Sequence, residues 1–298
     1  MSTYDCVMRL PDWIKSETKW ASQGTPRFKA DPHATLNLLR TQRLITVCEE
    51  ARCPNRGFCF SKPTATFMIL GDTCTRHCSF CSVKKGLPSD IHHEEPARVA
   101  EASKEMGLRY VVITSVTRDD LPDGGASHFA ATVRAVKCLI PETKVEILIP
   151  DFQGSIEALK TVLKSRPDVL NHNIETVRSL YSMVRPQADY ERSLSVLRNA
   201  KTLAPHIKTK SGFMLGFGET KEEIISLLKD LRKVGCNLLT AGQYLRPSKK
   251  NLPVVEYKRP AFFEDLKNVA IELGFESVAC GPLVRSSMNA EEIYNSKI

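Results

Sequence analysis

Six of the ten cysteines lie between residues 48 and 81, in CEEARCPNRGFCFSKPTATFMILGDTCTRHCSFC. They form two triplets: Cys48, Cys53 and Cys59 at C-x4-C-x5-C spacing, and Cys74, Cys78 and Cys81 at C-x3-C-x2-C spacing. Disulfides need pairs, so three is an odd number. Thiolates are soft ligands that suit iron–sulfur clusters, zinc or copper(I). A cubane cluster takes one ligand per iron and ordinarily four thiolates. A triplet therefore leaves one iron open, either to a small chelating molecule or to a ligand from elsewhere in the chain. For CTRHCSFC the alternative is a zinc site completed by His77 or a distant histidine. Structural zinc ordinarily arrives as two spaced pairs, which this loop does not offer, so the spacing favours a cluster.

The rest of the chain must hold these loops. Its 298 residues are 42% hydrophobic and 26% charged, the composition of a globular protein with a full core. The net charge of +8 is spread along the chain. Such a surface can steer an acidic protein partner or nucleic acid, but charge alone favours plain solubility. No apolar run approaches the roughly 20 residues of a membrane helix. The opening MSTYDCVMRLPDWIKSETKW places acids and tryptophans where a signal peptide has its apolar stretch. Asp5, Asp12 and Glu17 argue likewise against a transit peptide. The expectation is a cytoplasmic protein without membrane association, in whose reducing surroundings clustered cysteines bind metal or catalyse.

From residue 63 onward, strand-like runs alternate with helical patterns. The strand candidates are 64–70, 109–115, 144–150, 169–174, 207–215, 236–244 and 276–280. Several are continuous apolar runs, as expected of parallel strands covered on both faces. Thr220 and Glu223 make a capping box for a helix with Ile224, Leu227, Leu228 and Leu231 on one face and Gly235 at its end. Pro260 opens another helix that stops at Gly274, and Ser155 caps a third. Repeated alternation predicts an α/β fold, a full or partial (β/α) barrel of about six βα units. Cys74, Cys78 and Cys81 then fall in the loop after the first strand, on the face where such barrels build active sites. The division predicted is an extension at 1–62 with the upstream triplet, a barrel at 63–280, and a segment at 281–298, the two ends covering the active-site face.

With these residues in view, CTRHCSFC resembles the signature of the radical S-adenosylmethionine (radical SAM) enzymes. Combined with the upstream triplet, and with YVVITSVTRDDLPDGGASHFA, NHNIETV, IKTKSGFMLGFGET, TAGQYLRPSKKNLPV and CGPLVRSS, it resembles the lipoyl synthase family from about residue 40 to 290. The resemblance implies that Cys74, Cys78 and Cys81 hold a 4Fe–4S cluster whose open iron takes S-adenosylmethionine. It implies that Cys48, Cys53 and Cys59 hold a second, auxiliary 4Fe–4S cluster that donates sulfur, with Ser287 of Arg285-Ser286-Ser287 as its fourth ligand. Met288 stands where the family has tyrosine. The implied activity inserts two sulfurs at C6 and C8 of an octanoyl group on a lysine. The implied partners are an octanoylated lipoyl carrier domain, or a glycine-cleavage H-type protein, and a low-potential donor of ferredoxin or flavodoxin type, with no nucleic acid. A different sulfur insertion, such as that of biotin synthase, is disfavoured by the C-x4-C-x5-C triplet and the Arg-Ser-Ser motif. A zinc-stabilised module binding nucleic acid is the non-enzyme alternative.

Further cofactor-binding candidates follow from position. Phe80 resembles the superfamily's aromatic residue near the adenine, or else packs on the barrel rim. Gly216 and Gly218, in GFMLGFGET, sit between a strand and a helix, where glycines admit close approach and the helix N-terminus attracts anions; tight packing is the other reading. Glu175 can bond ribose hydroxyls or an amino group, and Arg185 can reach a carboxylate. Asn171 and Asn173 share one face of their strand, with His172 on the other. Arg118, Asp119 and Asp120 follow the second strand. Cys6, Cys138, Cys236 and Cys280 read as structural thiols, and His92 to Glu95 as a solvated loop.

Overall fold

The computed structural model describes residues 10–18, 32–62 and 64–296; Cys6 lies outside them. Ahead of the main sheet come α1 (Asp12–Thr18), α2 (Pro32–Thr41), β1 (Ile45–Thr46), α3 (Val47–Glu50) and α4 (Arg56–Ser61). The sheet then builds through β2 (Thr66–Ile69), β5 (Tyr110–Ser115), β6 (Lys144–Leu148), β7 (Val169–Asn171), β8 (Lys208–Leu215), β9 (Leu238–Gln243) and β10 (Ser277–Gly281). A small parallel pair, β3 (Thr73–Cys74) with β4 (Lys84–Lys85), flanks the cysteine loop. All seven predicted strands form, pair in parallel and follow chain order across the sheet, with β1 antiparallel at one edge.

Parallel neighbours need crossovers, and helices supply them: α5 (Glu95–Glu105), α6 (Ala126–Leu139), α7 (Ile156–Lys164), α8 (Tyr181–Val184) with α9 (Tyr190–Leu203), α10 (Lys221–Lys233) and α11 (Pro260–Glu272). The expected caps form. Ser155 accepts from Ala158 N, and Thr220 and Glu223 close a reciprocal box. The first and last strands of the sheet do not pair, so of the two forms predicted the fold is the partial barrel.

Strand alternation sorts the side chains into two sets. Val111, Ile113, Val145, Ile147, Leu170, Leu239 and Ala241 face the helices and form the main core. Their alternates face the concave side. There Tyr110, Val112, Val169 and Leu238, near the strand beginnings, pack against α12 (Ala290–Asn295) through Ala290, Ile293 and Tyr294. Above that apolar layer Lys210 Nζ bonds both carboxylate oxygens of Glu146 at 2.9 and 3.1 Å. Tyr110 Oη and Asn171 Nδ2 also donate to Glu146, at 2.8 and 2.9 Å. Both charged side chains are wholly buried. The final segment therefore does more than cover the active-site face: after β10 it descends into the lumen. Gly212 and Gly242 make room for it. A methyl group at 242 would overlap the Val284 carbonyl oxygen, and one at 212 would lie 3.3 Å from Ser286 Oγ.

His172, on the opposite face of β7's end, is also buried. Its ring bonds Ile149 O through Nδ1 at 2.9 Å, and Nε2 has no partner among the described residues. Burial, followed by the nearby Arg185 charge, pulls its pKa down to about 4. The unfolded imidazole titrates near 6.5, so the unfolded chain binds more proton between these values. This contribution is fully present above pH 6.5 and falls by about 3 kcal/mol as pH drops toward 4. Urea midpoints measured from pH 7 to pH 4 are expected to show a shallower decline for His172→Gln than for the unaltered chain.

Candidate active site

The second cysteine triplet sits where the sequence places it, in the loop after β2, and bonds from four neighbouring loops fix its shape. Leu70 ends the strand with φ +69°. Its N–H donates to Glu95 and its carbonyl accepts from Arg118. Cys74 Sγ accepts from Arg76 N and Thr117 N at 3.4 and 3.3 Å. Arg76, between the first two cysteines, is buried; it grips Asp119 through two bonds and Asp151 through a third at 2.6 Å. Lys85 Nζ donates to Cys78 O, Asn251 Nδ2 donates to Cys81 O, and Ser79 N donates to Val184 O. His77 faces Gln187 through its N–H and its ring.

Glu175 and Arg185 do come to this loop. Arg185 is buried, donates to Tyr181 Oη (2.7 Å) and Asn173 O (3.0 Å), and leaves Nε without a partner among the described residues. Its charge and a hydrogen bond favour the Cys78 thiolate, but burial is the larger effect and raises the thiol. Burial likewise pushes Cys81 up to about 12. Glu175, with φ +69°, has its carboxyl raised by burial against the opposing pull of Arg185 and Asn173. Without metal these thiols stay protonated, so cluster binding must displace protons.

Phe80 joins Val184, Phe217 and Tyr244 in an apolar cluster at this face, the last two rings stacked with centroids 4.4 Å apart. That is the packing the rim reading expects. Gly216 is turned inward: its N–H and that of Phe217 both donate to Glu219, at 2.7 and 2.9 Å. The anion place at this turn is thus filled by the chain's own carboxylate. Gly218 follows with φ +107° and an open outer side, 3.7 Å from Val255. Asp119 and Asp120 are occupied by Arg76 and Arg118.

The upstream triplet makes a second site. Cys48 in α3, Cys53 in the turn after it and Cys59 in α4 line one pocket together with Asn55, Thr66, Arg285 and Ser287. Asn55 Nδ2 ties the final segment in place by donating to Leu283 O (2.7 Å) and Met288 Sδ (3.2 Å). Burial raises Cys48 to about 11 and Cys59 to about 12. The half-buried Arg285 places positive charge beside Cys53. A donor set of three thiols, one hydroxyl and an adjacent cation fits an anionic thiolate-ligated cluster. Among the described residues no three His, Cys, Asp or Glu side chains converge on one metal ion. A cubane does not require that convergence, because its ligands attach to separate irons.

Two smaller expectations need correction. Glu95 is not part of a solvated loop; it turns inward to Leu70 N and His128 Nε2. Cys138 is exposed on α6, whereas Cys236 is buried in the core. The sequence reading missed Arg76, Asp151 and Asn251: the first and last lie inside quoted blocks, but all three act through partners distant in sequence.

Comparison with known proteins fits this geometry. The Radical SAM superfamily model matches residues 68–231. A lipoyl synthase of Caldanaerobacter subterraneus is 53% identical over 96% of this chain and 97% of its own length. One of Caldicellulosiruptor saccharolyticus is 55% identical over 95% and 97%. Among solved structures, Streptococcus suis SuiB bound to S-adenosylmethionine superposes with TM-score 0.55 at 13% identity, over 88% of this chain and 58% of SuiB. Methylornithine synthase gives 0.53 at 15%, over 87% and 72%. These two share the fold. With a cysteine loop and a cysteine-lined pocket on a partial barrel, and relatives of this identity over nearly the whole length, the chain belongs to the lipoyl synthase family of the radical SAM superfamily.

Proposed function

We propose that this chain is a lipoyl synthase, inserting two sulfur atoms at C6 and C8 of a lysine-bound octanoyl group. The observation that carries the reading is the convergence of Ser287 with Cys48, Cys53 and Cys59 in one pocket. Nothing but the fold brings these distant stretches together; Asn55 and Leu283, which bond across the junction, are 228 positions apart. When bound, one cluster with S-adenosylmethionine supplies a 5′-deoxyadenosyl radical, and the auxiliary cluster supplies sulfur.

The chain's own groups bind, orient and exclude water. Cys74, Cys78 and Cys81 hold the radical-generating 4Fe–4S cluster on a loop made rigid by Arg76, Lys85 and Asn251. Cys48, Cys53, Cys59 and Ser287 hold the auxiliary 4Fe–4S cluster. An alkoxide is a harder and weaker partner for iron than a thiolate, which suits a cluster that must give up sulfur. Arg185, with one nitrogen unpartnered, receives the carboxylate of the cofactor's methionine part, and Glu175 accepts from its amino group or ribose. Phe80, Phe217 and Tyr244 keep that side dry. Residues 1–62, 63–280 and 281–298 divide the work into auxiliary ligands, barrel and closing segment. The partner is an octanoylated lipoyl carrier domain or H-type protein, with electrons from a ferredoxin- or flavodoxin-type donor. No helix among the described residues is long and apolar enough to cross a membrane.

Anaerobic turnover of the reconstituted protein with reductant, S-adenosylmethionine and an octanoylated carrier domain tests the reading. Intact mass is expected to show the carrier gaining two sulfurs. Deoxyadenosine accumulating over an unchanged octanoyl group would refute the substrate assignment.

A further inference from the structure

Ser286, next to the proposed ligand, does not line the cysteine pocket. Its Oγ donates to Asn173 Oδ1 at 2.7 Å and accepts from Asn171 Nδ2 at 3.0 Å. The two asparagines come from the end of β7 at a spacing of two, which puts both on the concave face. Asn171 Nδ2 also donates to Glu146, and so joins Ser286 to the buried Glu146–Lys210 pair. Its Oδ1 is left without a partner among the described residues. The amide is thus oriented for its donor, at the cost of an unsatisfied acceptor. On the other side of the segment, Asn55 holds Leu283 O and Met288 Sδ. One hydroxyl therefore faces the lumen and the next faces the cysteines.

Apolar side chains would fill such a lumen at less cost than a buried ion pair with amides around it; the best-attested use of such polar groups is to fix a register. We infer that Ser286 is the positioning residue of the auxiliary site: the Asn171–Ser286–Asn173 clamp, braced by Glu146 and Lys210, sets where Ser287 stands. The fourth ligand is then placed by the barrel interior as well as by Asn55 of the cysteine segment it serves. This rests on the reading of Ser287 as a ligand.

The experiment compares Ser286→Ala with Ser287→Ala and the unaltered chain. In metal-free protein, hydrogen exchange across residues 284–289 is expected to quicken about tenfold in Ser286→Ala, because local opening no longer breaks the clamp. After reconstitution, a chelator is expected to strip the auxiliary cluster about tenfold faster in Ser286→Ala, the usual scale for losing an outer-sphere support. The S-adenosylmethionine-binding cluster and the melting temperature should stay near their original values, a selectivity that general loosening would not give. Ser287→Ala should lose the auxiliary cluster without the quickened exchange. If Ser287→Ala weakens that cluster while Ser286→Ala keeps both exchange and chelator resistance, the positioning role is overturned. If Ser287→Ala itself leaves the cluster intact, the ligand reading fails and the inference with it.

Discussion

A Gly242→Ala chain is expected to lose the auxiliary site almost completely while retaining the cluster that binds S-adenosylmethionine. The added methyl would coincide with the Val284 carbonyl oxygen and stand 3.1 Å from Arg285 Nη1. The first of these is backbone, not the tip of a flexible side chain, so the segment itself must move. Its attachments at Asn55, Asn171 and Asn173 lie within a few residues of the overlap. Displacement at Val284 therefore withdraws Ser287 from Cys48, Cys53 and Cys59. The first cysteine loop is held by Thr117, Asp119, Val184 and Asn251, none of which touches Gly242. Iron in the reconstituted variant should fall from about eight to about four per chain. Deoxyadenosine should still form, and sulfur insertion should vanish. Eight irons retained with normal product would mean that the segment does not run where it is placed here.

Lys210→Met is expected to destabilise the fold by about 3–5 kcal/mol, the scale for removing one partner of a buried ion pair. Glu146 would keep the donors Tyr110 and Asn171 but lose the only cation paired with it among the described residues, in a site with no exposure. A buried carboxylate so stranded is costly. Melting temperature should drop by roughly 10 °C at neutral pH. Adding Glu146→Gln in the same chain should recover much of the loss, because the double variant leaves no orphan charge. Denaturant unfolding of both variants reads both effects.

The strands, their order and the well-capped helices were legible because each rests on local pattern: apolar runs, a capping box, a proline at the start and a glycine at the end. The C-x3-C-x2-C triplet offered a ligand reading because its spacing is unlike that of zinc pairs; the upstream triplet gained one only through family resemblance. The lumen was not. Glu146 in KVEILIP and Lys210 in IKTKSGFML each share their strand with a second charge, a lysine, and a charge inside a strand does not announce its partner 64 positions away. Ser287 was reached only through family resemblance; its neighbour Ser286, which carries the local hydrogen bonds, offered no signal of its own. The Gly-rich turn shows the opposite case. Gly216 suggested a place for a cofactor's anionic group, and in the structure Glu219, three residues on, takes the backbone N–H groups of that turn.

The path of the last residues also bears on the order of synthesis. Domains fold from the N-terminus as the chain emerges, and all seven parallel strands precede residue 282. The seven strands are therefore made before the stretch that threads between them. The upstream pocket has its cysteines within residues 48–59 and Ser287 only after the last strand, so with the proposed ligand set a chain cut between residues 282 and 286 would hold every strand and lack the fourth ligand. Loading of the auxiliary cluster would in this way wait on synthesis past residue 287, after the strands that frame it.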